Sequence, residues 1–143
     1  MKFTVGIIGT GAMGAGIAQV AASNGCKVLL HDTNLKMLDN ALAGINASLS
    51  KLVEKGKITS ADHASILANI SSHQSMADLS ECNLIIEAIV EDLTVKQKVF
   101  TTLEQLVSAD CILASNTSSL SIASIASACK NKERVIEIGR AHV

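Results

Sequence analysis

The chain contains no proline, which fits helices that run long and uninterrupted. It fits less well with a finished enzyme domain, whose active-site loops commonly use that residue. An excess of either charge is also lacking. The 12 basic and 13 acidic residues leave a net charge of −1 and are scattered without long runs. That speaks against a nucleic-acid groove or an anionic membrane surface and leaves a small anionic ligand open. The four cysteines, Cys26, Cys82, Cys111 and Cys129, have no Cys-x-x-Cys spacing. Three of them lie in or beside apolar patterns, so they read as reduced core thiols of a cytoplasmic protein, with no metal site. No N-terminal segment joins basic residues to a long apolar run, so neither a signal peptide nor a membrane span is expected. What is present is 143 residues, 48% of them hydrophobic, with a mean hydropathy of +0.37. That suffices for one good core in one domain.

The most informative stretch opens the chain. Apolar residues 5–8 run into Gly9-Thr10-Gly11-Ala12-Met13-Gly14, and a small-residue helical pattern follows at once. In a strand-turn-helix of this kind Gly9 permits the tight turn, Gly11 lets backbone approach a pyrophosphate, and Gly14 brings helix and strand close. The N–H groups of Ala12 and Met13 then open toward the phosphates. A second apolar run, residues 26–30, leads to Asp32, close to the offset of about 20 residues expected for a carboxylate that bonds a ribose 2′-hydroxyl. An acid there favours NAD over NADP, because a 2′-phosphate would meet a negative charge. Asp32 also has a plainer reading, as the cap of a helix starting near Leu35.

Strand-like runs thus recur at residues 5–8 and 28–30, near Ile70, and at 84–89, 111–114 and 135–138, with helical patterns between them. The alternation predicts an α/β fold of Rossmann type, doubly wound around a mainly parallel sheet. One segment departs from a minimal version. Leu35, Leu38, Leu42, Ile45, Leu49 and Leu52 mark a long amphipathic helix, Gly56 stops it, and Thr59 or Ser60 can cap a second helix with Asp62 in its first turn. Together they predict a protruding helical hairpin with Lys51, Lys55 and Lys57 at its tip. For a lysine cluster, solvation competes with phosphate binding as the reason.

Two polar clusters follow strands: Glu87-Ala88-Ile89-Val90-Glu91-Asp92-Leu93-Thr94-Val95-Lys96, and Ser115-Asn116-Thr117-Ser118-Ser119-Leu120-Ser121-Ile122. The carboxyl edge of an open parallel sheet is where ligands bind. Helix capping by Glu91 or Asp92, and by Ser118 or Ser119, explains the same residues equally well.

These two stretches, with the glycine turn and Gly16-Ile17-Ala18-Gln19-Val20, resemble the NAD-binding domain of the L-3-hydroxyacyl-CoA dehydrogenases, among them bacterial 3-hydroxybutyryl-CoA dehydrogenases. The likeness covers residues 3–136, and three separated motifs in the same order make it specific. It implies that Glu91 and Lys96 contact the nicotinamide-side ribose region, that Ser118 touches both cofactor and substrate, and that Ser48 and Lys55 contact coenzyme A. It implies an acyl-CoA substrate oxidised at C3 with NAD as hydride acceptor, while a histidine removes the hydroxyl proton. General-base catalysis of that kind is worth roughly 10²–10⁴-fold. A glutamate orients the histidine, an asparagine from a second, helical domain polarises the oxygen, and the parent protein is a homodimer through that domain. Sugar-acid dehydrogenases and a non-catalytic lens crystallin share the fold family and stand as alternatives.

The likeness ends at the sixth strand. Where the family has its histidine this chain has Gly139, and His142 comes three residues late without the surrounding pattern. His31, His63 and His73 are expected in surface or packing roles. One back-translation of residues 137–143 with a stop codon reads as a common sequencing-library adapter. The expectation is therefore an NAD-binding domain over 1–136, a non-native tail over 137–143, no helical domain, exposed apolar surface, and a chain inactive by itself.

Overall fold

Strands built from Val, Ile and Leu on both faces need cover on both sides. The computed structural model describes residues 2–116 and 122–137. Strands β1 (Thr4–Ile8), β2 (Lys27–His31), β3 (Ile70–His73), β4 (Leu84–Glu87), β5 (Ile112–Ser115) and β6 (Val135–Glu137) form one sheet in the order β3-β2-β1-β4-β5-β6. All of its pairings are parallel. The helices are α1 (Ala12–Ser23), α2 (Leu35–Glu54), α3 (Ser60–Ala68), α4 (Leu93–Leu106) and α5 (Ile122–Ala126).

The two-residue period of a strand divides the core. Val5, Ile7, Val28 and Leu30 join one apolar cluster with Ala18 of α1 and with Leu38, Ile45 and Leu49 of α2. Ile8, Leu29, Ile85 and Leu113 join another with Phe100 and Leu103 of α4 and Ile125 of α5. The sheet is thus doubly wound, as predicted. Its order turns between β1 and β4, which opens a crevice beyond their carboxyl ends. Register aligns the rim: Ile8 lies beside His31 on one side and Glu87 on the other, and Glu87 beside Ser115. β4 ends at Glu87, two residues short of the run expected from hydropathy, because the Glu87 carboxylate takes the Ile89 N–H and turns the chain away.

The hairpin forms for the reasons its sequence suggests, with one correction. Asn34 caps α2, and the buried stripe is Leu38, Ala41, Ile45 and Leu49. Leu35, expected on that stripe, is 53% exposed, since as the first helical residue it precedes the covered turns. Gly56, at φ +71°, closes the helix, with its own N–H on the Val53 carbonyl and that of Lys57 on the Leu52 carbonyl. Thr59 and Asp62 form a reciprocal capping box that starts α3. The base of the hairpin sits on α1, where Gln19 donates to Ser48 Oγ (3.1 Å) and Asn69 to the Ala22 carbonyl (3.1 Å). Its tip, with Lys51, Lys55 and Lys57, is exposed. Beside α1 an apolar groove of about 590 Å³ runs over Leu84 and Ile86, rimmed by exposed Phe3, Met13 and Val20. No described helix is long and apolar enough to cross a membrane.

Candidate functional site

The glycine turn makes the first half of the crevice. Gly9 adopts φ +109°, and a Cβ on it would stand 2.6 Å from the Ala88 carbonyl oxygen, so only glycine allows the turn to lie against β4. Its N–H donates to the His31 carbonyl, tying the turn to β2 (3.1 Å). A Cβ on Gly14 would meet the Gly9 carbonyl oxygen at 2.0 Å and Ile7 Cγ2 at 3.7 Å. The closest approach that Gly14 permits is therefore to the turn, with the strand behind it. Gly11 differs: nothing lies within 4 Å of its would-be Cβ. It is the N-cap of α1, and its lack of a side chain leaves the first N–H groups, those of Ala12 and Met13, without a cap. Open backbone donors at the positive end of a helix suit an anion.

Asp32 stands across from this opening. One carboxylate oxygen accepts from Thr10 Oγ1 (2.8 Å) and the other from the Asn34 N–H (2.9 Å). The plainer reading of Asp32 as the α2 cap does not hold, because Asn34 takes that place and accepts from Lys36 and Met37. Thr10, which the sequence did not single out, holds the acid in the crevice. A cavity of about 280 Å³ lies beside Asp32, walled by Gly9 and by apolar Met76, Ile89 and Val95. It suits a flat ring next to a ribose.

The second half of the crevice is built from buried charge. Lys96 and Glu87 are both fully buried, with Nζ 2.5 Å from Oε2. Glu87 Oε2 also accepts from the Ile89 N–H (2.8 Å), and Oε1 accepts from Ser115 Oγ of β5 (2.6 Å). Lys96 reaches the Ile89 carbonyl and Glu91 Oε1, each at 3.5 Å. Asp92, not Glu91, caps α4, accepting from the Val95 N–H (3.1 Å). Glu91 is not the cap, and its side chain is 35% exposed. The expected pair is therefore brought together, but with unequal parts: Glu91 faces outward, while the Lys96 ammonium is enclosed. Glu87 and Ser115 were the residues that reading the chain missed. The signal was an acid as the last residue of an apolar strand with a lysine nine positions on.

Ser48 and Lys55, implied as coenzyme A contacts, lie away from this crevice on α2 and its C-cap. Seven residues apart, they share one helix face about 10 Å apart along the axis. Ser118, Gly139 and His142 fall outside the described residues. His31 is buried with Nδ1 3.0 Å from the His73 carbonyl, His63 Nε2 meets Asn46 (2.7 Å), and His73 meets Asp78 (3.0 Å). The four cysteines are free, and burial pushes the Cys82 thiol up to about 12 and those of Cys111 and Cys129 upward. Among the described residues no group of three His, Cys, Asp or Glu side chains is placed to hold a metal.

Residues 4–139 match the family model of the 3-hydroxyacyl-CoA dehydrogenase NAD-binding domain. The chain is 47% identical over 130 residues to a 3-hydroxybutyryl-CoA dehydrogenase of Clostridioides difficile, covering 91% of this chain and 46% of that protein. It is 42% identical over 132 residues to a 3-hydroxyadipyl-CoA dehydrogenase of Escherichia coli K12, covering 92% and 28%. The crystal structure of E. coli 3-hydroxybutyryl-CoA dehydrogenase superposes with a TM-score of 0.93 at 41% identity, over 96% of this chain and 29% of that one. That of the Ralstonia eutropha (S)-3-hydroxybutyryl-CoA dehydrogenase gives 0.92 at 38%, over 96% and 48%. The chain spans about half, or less, of the length of these relatives. NAD fits the residues present, with an unfilled cradle at Gly11, an uncapped helix end and a held acid at Asp32. By sequence, fold and site the chain belongs to the 3-hydroxyacyl-CoA dehydrogenase family, through its NAD-binding domain.

Proposed function

We propose that this chain is the cofactor half of an NAD-dependent enzyme of the cytoplasm that oxidises an L-3-hydroxyacyl-CoA to the 3-ketoacyl-CoA. The observation that carries the reading is the open first turn of α1 facing a carboxylate already oriented by Thr10 and Asn34. The N–H groups of Ala12 and Met13 hold the pyrophosphate. Asp32 accepts from the adenine-side ribose, and its charge disfavours a 2′-phosphate. Glu91 meets the second ribose, with Lys96 behind it. When bound, the nicotinamide supplies the hydride acceptor for C3 of the substrate. Ser118 spans cofactor and substrate, and Ser48 and Lys55 receive the coenzyme A moiety, the lysine as a flexible cation for phosphate. The proton goes to a histidine that this chain does not carry at the expected position, Gly139, so the chain by itself is expected to bind and not to turn over. Residues 1–136 form this domain, and homodimer formation belongs to a helical domain of the parent. The family match runs to 139, three residues into the segment read as a non-native tail, and an independent genomic read of residues 137–143 decides that point.

Calorimetric titration of the chain with NADH tests the reading, with Asp32→Ala as control. Binding that weakens tenfold or more in the control, and that exceeds NADPH binding in the unsubstituted chain, is the expected result. No binding by a folded chain, or equal binding of NADH and NADPH, overturns it.

A further inference from the structure

The geometry points to Glu87 as a positioning residue that sets the nicotinamide-side ribose contact through Lys96 and Glu91 without touching the cofactor. The inference rests on the NAD reading above and adds to it a residue that reading does not use.

Glu87 is 0% exposed, and its acceptors are engaged: Ser115 Oγ at 2.6 Å, the Ile89 N–H at 2.8 Å and Lys96 Nζ at 2.5 Å. It has no path to a ligand. Lys96, equally buried, donates to Glu87 and to the Ile89 carbonyl and is ion-paired with Glu91 at 3.5 Å. Of the two carboxylates and the ammonium, only Glu91 is in part exposed. The three charges therefore form a line from the interior to the rim of the crevice, anchored on β4, passing through α4 and ending in the β4–α4 loop. Glu87 also fixes that loop directly, through the Ile89 N–H. The neighbouring Ala88 carbonyl is the group that Gly9 lies against, so one carboxylate bears on both halves of the site.

A buried ion pair is a poor choice for stability alone, since an apolar pair of the same volume often does as well or better. Such a pair is better suited to fixing one local geometry, here that of the loop that ends at the crevice. Ion-paired from behind with an ammonium that it shares with Glu87, the Glu91 carboxylate stands at the rim of the crevice. That suits a hydroxyl pair such as the second ribose presents.

The test separates positioning from mere stapling of the loop by comparing NADH with ADP, which keeps the adenine-side ribose and both phosphates but lacks the second ribose. In Glu87→Gln the affinity for NADH is expected to fall about tenfold and that for ADP to stay within twofold. Because that variant leaves a buried ammonium short of a partner, the double variant Glu87→Gln/Lys96→Met, which removes both buried charges, is measured alongside it and should show the same selective loss. Glu91→Gln should weaken NADH similarly, and adding Glu87→Gln to it should bring little further loss, because the two act in series. Equal loss of NADH and ADP, an unchanged NADH affinity in the double variant, or additive losses with Glu91→Gln would overturn the inference while leaving the NAD reading intact. A folded wild-type chain that binds neither ligand would overturn both.

Discussion

The two halves of the crevice are made by opposite means. On the β1–β2 side the polar groups at the crevice are backbone N–H groups and one acid, set among glycines whose missing side chains make room. On the β4–β5 side a partly exposed carboxylate is ion-paired with a fully buried ammonium, which it shares with a second, buried carboxylate. The first half depends on local chain geometry. The second exists only once a helix and two strands have closed around it. Damage to the first half should therefore show in binding, and damage to the second in folding before it shows in binding.

The largest effect is expected where that contrast is broken outright. Lys96→Met removes the cation and leaves the Glu87 carboxylate buried without its ion-pair partner, at a cost of about 3–5 kcal/mol. A denaturant melt should show it, and Glu87→Gln in the same chain should restore most of the loss. If Lys96→Met melts like the wild type, the ion pair does not hold this half together.

The glycines sharpen the comparison within the first half. Gly14→Ala drives a methyl into the Gly9 carbonyl and should cost about 1–3 kcal/mol, along with NADH affinity. Gly11→Ala meets open space and should cost only about 0.5 kcal/mol as an N-cap change, yet lose NADH binding, because the methyl fills the pyrophosphate cradle. Parallel melts and titrations check both variants, and retained affinity in Gly11→Ala would move the phosphates elsewhere.

A gentler probe uses pH at the seam between β2 and β3. Burial, above all, holds the His31 imidazole below its ordinary range, against the opposing pull of the His73 carbonyl and the Asp32 carboxylate. A depressed value in the folded state means that the unfolded chain takes up the proton first. The contribution is therefore complete above about pH 6.5 and is lost as pH falls below it. The melting temperature should fall on acidification through that value, and His31→Gln should flatten the dependence.

The smallest effect belongs to the exposed tip of the hairpin. Lys55→Ala should weaken binding of free coenzyme A by a factor of a few and leave the melt unchanged, as expected for an exposed cation worth about 0.2–1 kcal/mol. An unchanged affinity would return the lysines to simple solvation.

How much of this was legible in the chain follows from the same contrast. The glycine turn could be read because each glycine answers to its near neighbours, and the turn, strand and helix lie within a few residues of one another. The hairpin could be read from its leucine spacing and caps, apart from Leu35, whose burial depended on where the covered turns begin. Asp32 was ambiguous between ribose and cap until Asn34 was seen to take the cap. Lys96 was placed toward the cofactor, although its own side chain is wholly enclosed. Nothing in the order of residues says which way a long flexible side chain turns. That depends on Ser115 arriving on β5 and on the β4 terminus lying beside it.

The sequence by itself therefore determined the element order, the doubly wound sheet, the phosphate turn and the family, because short-range backbone preferences and hydrophobic periods act along the chain. Only the tertiary structure decided which carboxylate stands at the rim of the crevice and which one is buried. Burial of a charge is set by what packs around it, and those partners come from strands and helices far apart in the chain.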